Sequence, residues 1–169
     1  MKSSHQLGLM TEFEARERFA KKPIVILPIG SLEQHGAHLP ALTDAIIAER
    51  ISIEIAKAVD GLVLPVINYG NSFSWVKGFV STITLQQGRL SDLVIDIGKQ
   101  IAQKGCDYFV IFNGHGGNPP DIVIGAKTLK QEFPDMEILV VEWWSAGNSV
   151  IHQLKESKGE THGGEFETS

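Results

Sequence analysis

The run Ile-Val-Ile-Leu-Pro-Ile at Ile24–Ile29 predicts a buried strand, because six apolar residues stand together without a charge. Glu33 and His35 follow within the next few residues, and Asp44 comes shortly after them. Open α/β sheets bind their ligands at the carboxyl ends of strands. Carboxylate and imidazole groups suit Zn, Mn and Fe ions. The stretch therefore indicates a metal site at the end of this strand.

A second polar segment has the same setting. Residues 113–118 read Asn-Gly-His-Gly-Gly-Asn and follow an apolar run at Tyr108–Phe112. His115 stands between glycines, which permit close approach of backbones, and we expect Asn113 and Asn118 to hold the loop by side-chain-to-backbone hydrogen bonds. We predict that both segments contribute to one metal site. The alternative is a phosphate-binding turn, although no Lys-Ser or Lys-Thr pair follows it.

Length and composition limit the possible classes of protein. The chain has 169 residues, 43% of them hydrophobic, which is enough for one domain with a core. Its net charge of −5 argues against binding to nucleic acid. Cys106, the single cysteine, excludes an internal disulfide and is expected in the core. Without a membrane-spanning run or a secretion signal, we expect a cytoplasmic protein and no membrane partner.

Predicted strands and helices alternate along the chain. The strands are predicted at Ile24–Ile29, Leu62–Ile67, Thr82–Leu85, Tyr108–Phe112 and Ile138–Val141. The helices are predicted at Glu12–Lys21, Asp44–Val59, Asp92–Lys104 and Pro120–Phe133, the first three begun by Thr11, Thr43 and Ser91. This order predicts an α/β fold, a three-layer α/β/α sandwich with a mostly parallel sheet.

A third segment, His-Gly-Gly-Glu-Phe-Glu-Thr-Ser at residues 162–169, ends the chain. Alone it is typical of a frayed acidic terminus, and it gains meaning only beside the other two segments. His38 lies in the first segment and competes with His35 as a possible ligand. His5 and His152 have no such neighbours, so we expect both on the surface.

Taken together, the three segments resemble the creatininase (creatinine amidohydrolase) family. The matching parts are residues 27–40 with Asp44, residues 113–118 and residues 162–169, which span nearly the whole chain. The resemblance implies a binuclear metal centre with two divalent ions, Zn or Mn or else Fe. It implies hydrolysis of a non-peptide C–N bond in a small cyclic or linear amide. It also implies a homo-oligomer, since members of the family often form hexamers.

The resemblance also implies roles for particular residues. The implied metal ligands are Glu33, His35, Asp44, His115 and Glu165. Asp44 would bridge the ions, which together lower the pKa of a shared water from ~15.7 toward ~7 and so supply a hydroxide. The creatinine-hydrolysing branch has a glutamate where this chain has Gly117. We expect Glu165 to replace that carboxylate, with Glu167 as the second choice.

His162 resembles the residue that carries a proton to the leaving nitrogen, which suits the ordinary pKa of an imidazole. Three weaker candidates would contact substrate: Ser72, Trp143 and the backbone N–H at Gly116. Creatinine itself is not the expected substrate. The creatinine-hydrolysing branch has Trp-Asp where residues 158–161 read Lys-Gly-Glu-Thr.

We expect residues 1–169 to form a single creatininase-like domain that lacks the family's C-terminal part. A second interpretation follows from this expectation and from Gly117. The chain could be an inactive or truncated relative that serves as a binding or assembly subunit. A buried set of carboxylates without metal would be costly, so we favour the amidohydrolase.

Overall fold

The computed structural model describes residues 5–147, 150, 153, 156–157 and 162–168. Four parallel strands form one sheet in the order β2-β1-β3-β4. The strands are β1 Val25–Ile29, β2 Leu62–Val63, β3 Tyr108–Asn113 and β4 Glu137–Glu142. The helices are α1 Glu12–Phe19, α2 Thr43–Val59, α3 Arg89–Gln103, α4 Pro119–Glu132, α5 Trp143–Ala146 and α6 Glu165–Thr168.

Helices cover both faces of the sheet. Alternate residues of β1 point to opposite sides, and its five residues are all buried. Leu27 lies in a core cluster with Val94 of α3 and Ile122 of α4, whereas Ile26 lies in a second cluster with Ala48 of α2. The sheet is therefore the middle of three layers, and the predicted α/β architecture is confirmed.

Two predicted strands differ from the structure. β2 stops at Val63, and only an isolated pairing of Ile67 with Ile29 continues it. The N–H groups of Leu62 and Leu64 donate to carbonyls in or directly before β1, but Pro28 of β1 has no N–H with which to extend the ladder. The segment 82–85 is not a strand, and its one bridge joins Ile83 to Leu32 in antiparallel direction.

The residue that caps the N-terminus was predicted correctly for α1 and wrongly for α2 and α3. Thr11 forms the predicted capping box with Glu14. Thr43 and Ser91 lie inside the first turns of α2 and α3, so their prediction as capping residues was wrong. Their hydroxyls donate instead to the carbonyls of Pro40 and Gly88.

Three single-residue predictions can be compared with the structure. Cys106 is buried in the core, as expected. His5 is not a surface residue, because its side chain is only 17% exposed and its Nδ1 lies 3.0 Å from the carbonyl oxygen of Gly61. His152 lies outside the described residues. Within the described ranges, no helix has the length and apolar character needed to cross a membrane.

Candidate metal centre

The first two sequence segments meet at the carboxyl end of the sheet. β1 and β3 are neighbours, and Ile29 pairs with Asn113 at their ends. The loop carrying Glu33 and the loop carrying His115 therefore leave the sheet side by side, and the first turn of α2 brings Asp44 to them. Close approach needs Gly114, since a Cβ there would lie 2.2 Å from the carbonyl oxygen of Asp44.

Asp44 lies between two imidazoles. Its Oδ1 is 3.0 Å from His35 Nε2, and its Oδ2 is 2.7 Å from His115 Nδ1. All three side chains are buried. Burial raises the pKa of Asp44, but the two histidines lower it more, so its pKa lies below the ordinary value. One carboxylate thus serves two neighbouring positions, as expected of a group that bridges two ions.

Glu33 makes a second link between histidines. Its Oε2 lies 3.5 Å from His115 Nε2, and its Oε1 lies 3.6 Å from His162 Nε2. The Glu33 carbonyl oxygen lies 3.0 Å from His35 Nδ1 and accepts a hydrogen bond from its N–H. This hydrogen bond orients the His35 ring and leaves Nε2 facing the carboxylates. Histidines that bind a metal through one ring nitrogen commonly donate the other N–H to a carbonyl in this way.

The polar atoms of this cluster are suited to a cation. Glu33 Oε2, Asp44 Oδ2 and His115 Nε2 are buried and make no hydrogen bond of good geometry with the described residues, although Asp44 Oδ2 lies 2.7 Å from His115 Nδ1. An unsatisfied buried polar group costs about 1–3 kcal/mol. Imidazole and carboxylate are the donors that Zn and Mn accept, so the residues fit a divalent ion.

The last segment brings Glu167, the second choice, toward His35, and it brings Glu165, the first choice, toward the backbone at residues 156 and 157. Glu165 accepts hydrogen bonds from the backbone N–H of Glu156 and Ser157, at 3.0 and 2.8 Å. Glu167 Oε1 lies 3.8 Å from His35 Nε2, and its Oε2 accepts from the N–H of Gly163. Residues two apart on a helix point in different directions, so only one of the pair reaches the cluster.

Three side chains have potential ligand atoms within 4.8 Å of one another: His35, His162 and Glu167. A carboxylate from residue 117 could not join them. A Cβ at Gly117 would lie 1.9 Å from the carbonyl oxygen of Asn71 and 2.7 Å from His115 Nε2. A side chain at position 117 would require the backbone to move, whereas Glu167 lies beside His35 in the backbone as it stands.

His162 is held by the first segment. Its Nε2 lies 2.7 Å from the carbonyl oxygen of Gln34, to which it donates. Its ring lies 4.4 Å from the ring of His35 and edge-on to Trp75 at 5.8 Å. His38, the competing histidine, is exposed and contacts Thr168 Oγ1 at 3.3 Å, apart from the group around His35.

Two buried asparagines hold the loops, as predicted. Asn113 Oδ1 accepts from the N–H of His115, and its Nδ2 donates to the His115 carbonyl. Asn118 Nδ2 donates to the Gly30 carbonyl, while its Oδ1 accepts from the N–H of Asn71. These bonds join three loops around the cluster.

The weaker substrate candidates have mixed surroundings. Ser72 is buried, with its Oγ 3.1 Å from Ser31 Oγ, which indicates a structural role. Trp143 packs against the core cluster on the α2 face. Gly116 is exposed, and a Cβ there would lie 4.0 Å from the ring of Phe73. Sequence reasoning missed Phe73 and Trp75, whose signal was two aromatic residues in a loop beside a predicted site.

The family model for creatininase, described as creatinine amidohydrolase, matches residues 8–169. The chain belongs to the creatininase family. It is 31% identical to the creatinine amidohydrolase of Pseudomonas putida, over all of this chain and 71% of that protein. It is 32% identical to the mycofactocin precursor peptide peptidase of Mycolicibacterium smegmatis, over 72% of this chain and 51% of that protein.

Solved creatininase structures share the fold. A manganese form superposes with a TM-score of 0.90 at 30% identity, covering 98% of this chain and 70% of that one. A mutant creatininase of Zn-Zn type gives 0.90 at 29% identity, with the same coverage of 98% and 70%. This chain thus shares the fold and sequence of the creatininase family, and it covers between 34% and 71% of the length of the curated relatives compared.

Proposed function

We propose that this chain is a metal-dependent amidohydrolase that holds two divalent ions and hydrolyses a non-peptide C–N bond in a small amide. The observation that carries the proposal is Asp44, buried between His35 and His115 with a carboxylate oxygen toward each. Glu33 Oε2 and His115 Nε2 lie buried beside it without a hydrogen bond of good geometry and are therefore suited to ligating a cation. Zn and Mn are the proposed metals, and Fe is a further option.

The donors divide into two sets that share Asp44. Glu33 and His115 would complete one set, and His35 and Glu167 would complete the other. When bound, such a pair of ions acidifies a water and polarises the carbonyl of an amide. The surrounding residues exclude bulk water, since four of the five side chains are buried.

His162 is the proposed proton donor. The Gln34 carbonyl holds a proton on His162 Nε2, and Glu33 Oε1 lies 3.6 Å from the same atom. The nitrogen of an amide leaves readily only when it is protonated. The reaction therefore needs a group beside the scissile bond that can donate a proton to that nitrogen. The structure orients Nε2 toward Glu33 and therefore toward the proposed metal ligands.

Metal analysis tests this proposal directly. We would purify the protein without chelator and determine its metals by elemental analysis, beside an Asp44→Ala, His115→Ala double variant and the exposed control Asp96→Ala. We expect about two ions per chain in the parent and the control, with loss in the double variant. No stoichiometric metal after reconstitution would contradict the proposal.

The substrate class would then be screened with cyclic amides and formamides, by release of amine or acid. Hydrolysis that disappears in the double variant and persists in Asp96→Ala would support the amidohydrolase. Stoichiometric metal with no hydrolysis of any amide would favour the second interpretation, a binding or assembly subunit. The homo-oligomer and the cytoplasmic location stay predictions.

A further inference from the structure

The loop between β2 and α3 displays an unusual amount of apolar surface. Phe73, Trp75, Phe79, Val80 and Ile83 are all exposed within a stretch of eleven residues. Single exposed apolar side chains are normal, whereas a contiguous apolar patch marks a binding site, and Phe73 and Trp75 are in contact. The position of these side chains relative to the candidate metal centre indicates which ligand they would bind.

Two of these rings adjoin the candidate metal centre. Trp75 lies edge-on to His162 with ring centroids 5.8 Å apart, and Phe73 stacks on Trp75 at 6.4 Å with planes 10° apart. Phe73 also adjoins Gly116, at the end of β3. We call Phe73 and Trp75 the aromatic pair. It forms an apolar surface next to His162, the proposed proton donor.

The loop that carries the aromatic pair is tied to the metal-binding segment. Val76, directly after Trp75, is completely buried. The N–H of Ile83 donates to the Leu32 carbonyl at 3.0 Å, and the N–H of Gln34 donates to Thr82 Oγ1 at 3.1 Å. The base of the loop is therefore fixed against the residues on either side of Glu33.

We propose that the aromatic pair is a substrate subsite that receives a flat, uncharged aromatic group attached to the scissile amide. Aromatic rings gain more from stacking on other rings than from burial alone. Lys77 is the one charged residue between positions 69 and 85, so the loop offers little to an ionic group. The inference rests on the proposed function, which places the reacting bond beside His162.

Matched hydroxamates test the subsite without requiring turnover. Hydroxamates chelate divalent ions, so acetohydroxamate and benzohydroxamate share the anchoring group and differ in the aromatic ring. Calorimetric titration of the metal-loaded protein would give both dissociation constants, for the parent and for Trp75→Ala, Trp75→Phe and Phe13→Ala. Phe13 on α1 is a matched control, 68% exposed against 62% for Trp75.

We expect benzohydroxamate to bind the parent about tenfold more tightly than acetohydroxamate, in keeping with one buried, stacked ring. Trp75→Ala should reduce that ratio to about threefold or less while the affinity for acetohydroxamate stays the same. Trp75→Phe and Phe13→Ala should keep the ratio.

Other outcomes would overturn the inference in distinguishable ways. If acetohydroxamate binds but the ratio is near one, or Trp75→Ala leaves it unchanged, the subsite is wrong and the metal centre stands. If Trp75→Ala leaves the ratio unchanged and alters the mass in solution, the loop is a contact between copies. If neither hydroxamate binds and the protein holds no metal, the proposed function fails and the subsite fails with it.

Discussion

Two glutamates of α6 lie two residues apart and have different surroundings. Glu167 approaches His35 Nε2, whereas Glu165 accepts from the backbone at residues 156 and 157. We expect Glu167→Gln to weaken zinc affinity at least tenfold, because it removes a charge beside the ions. Glu165→Gln, its matched control, should change the affinity less than twofold. Competition with a chromophoric chelator measures both, and a larger loss in Glu165→Gln would reverse the assignment.

The protonation of His35 predicts how metal binding depends on pH. Burial lowers the pKa of His35, but the carboxylates of Asp44 and Glu167 outweigh it and raise the pKa to about 10. The metal-free imidazole is therefore protonated at neutral pH, and a metal must displace that proton. Apparent zinc affinity should rise by up to about tenfold per pH unit between pH 7 and 9. The slope should flatten in His35→Gln, and an affinity independent of pH in the parent would contradict the prediction.

At the scale of residues, the local segments carried most of the information about the site. Glu33, His35 and Asp44 stand close in sequence, and the strand before them fixes where they emerge, so their meeting with His115 was predictable. The choice between Glu165 and Glu167 was not. It depends on how residues 162–168 lie against the first segment, which no periodicity in the sequence specifies.

The approach of β3 to α2 requires a glycine at position 114. A Cβ there would lie 2.2 Å from the Asp44 carbonyl oxygen and 3.0 Å from the Ala48 side chain. We expect Gly114→Ala to destabilise the fold by about 1–3 kcal/mol, the usual cost of overpacking, and to weaken metal binding by displacing Asp44.

Gly78 is the matched control, because a Cβ there would meet nothing within 4 Å. Gly78→Ala should change the free energy of unfolding by less than about 0.5 kcal/mol. Urea unfolding measures both variants. Equal stability of Gly114→Ala and the parent would show that the contact between β3 and α2 is looser than described.

At the scale of elements, hydrophobic runs predicted the sheet where apolar residues continue without a break, as in β1 and β3. They failed where side chains satisfy the backbone. The run Thr82–Leu85 has the composition of a strand, yet Thr84 Oγ1 accepts from the N–H of Ser72, and Thr82 Oγ1 accepts from that of Gln34. In these two hydrogen bonds, a threonine hydroxyl of the segment accepts the N–H that a backbone carbonyl would accept in a sheet. Such bonds depend on tertiary contacts, which the sequence pattern does not show.

In the whole molecule, the candidate metal centre lies where β1, β3, α2 and α6 converge, so metal and fold should be coupled. Glu33 and Asp44 are buried, and one carboxylate oxygen of each makes no hydrogen bond of good geometry with the described residues. A ligand that binds only the folded state at a thousand times its dissociation constant adds about 4 kcal/mol to the free energy of unfolding. For a chain of this size that raises the melting temperature by about 8–16 °C.

Calorimetry of the protein in excess zinc and after chelation measures this difference. The Asp44→Ala, His115→Ala variant should melt at the same temperature, within about 2 °C, in both conditions, since it lacks Asp44, which both donor sets share, and His115, a member of one set. Asp96→Ala should keep the full shift of the parent. A parent that melts at one temperature with and without zinc would contradict the coupling, because bound ions must stabilise the state that holds them.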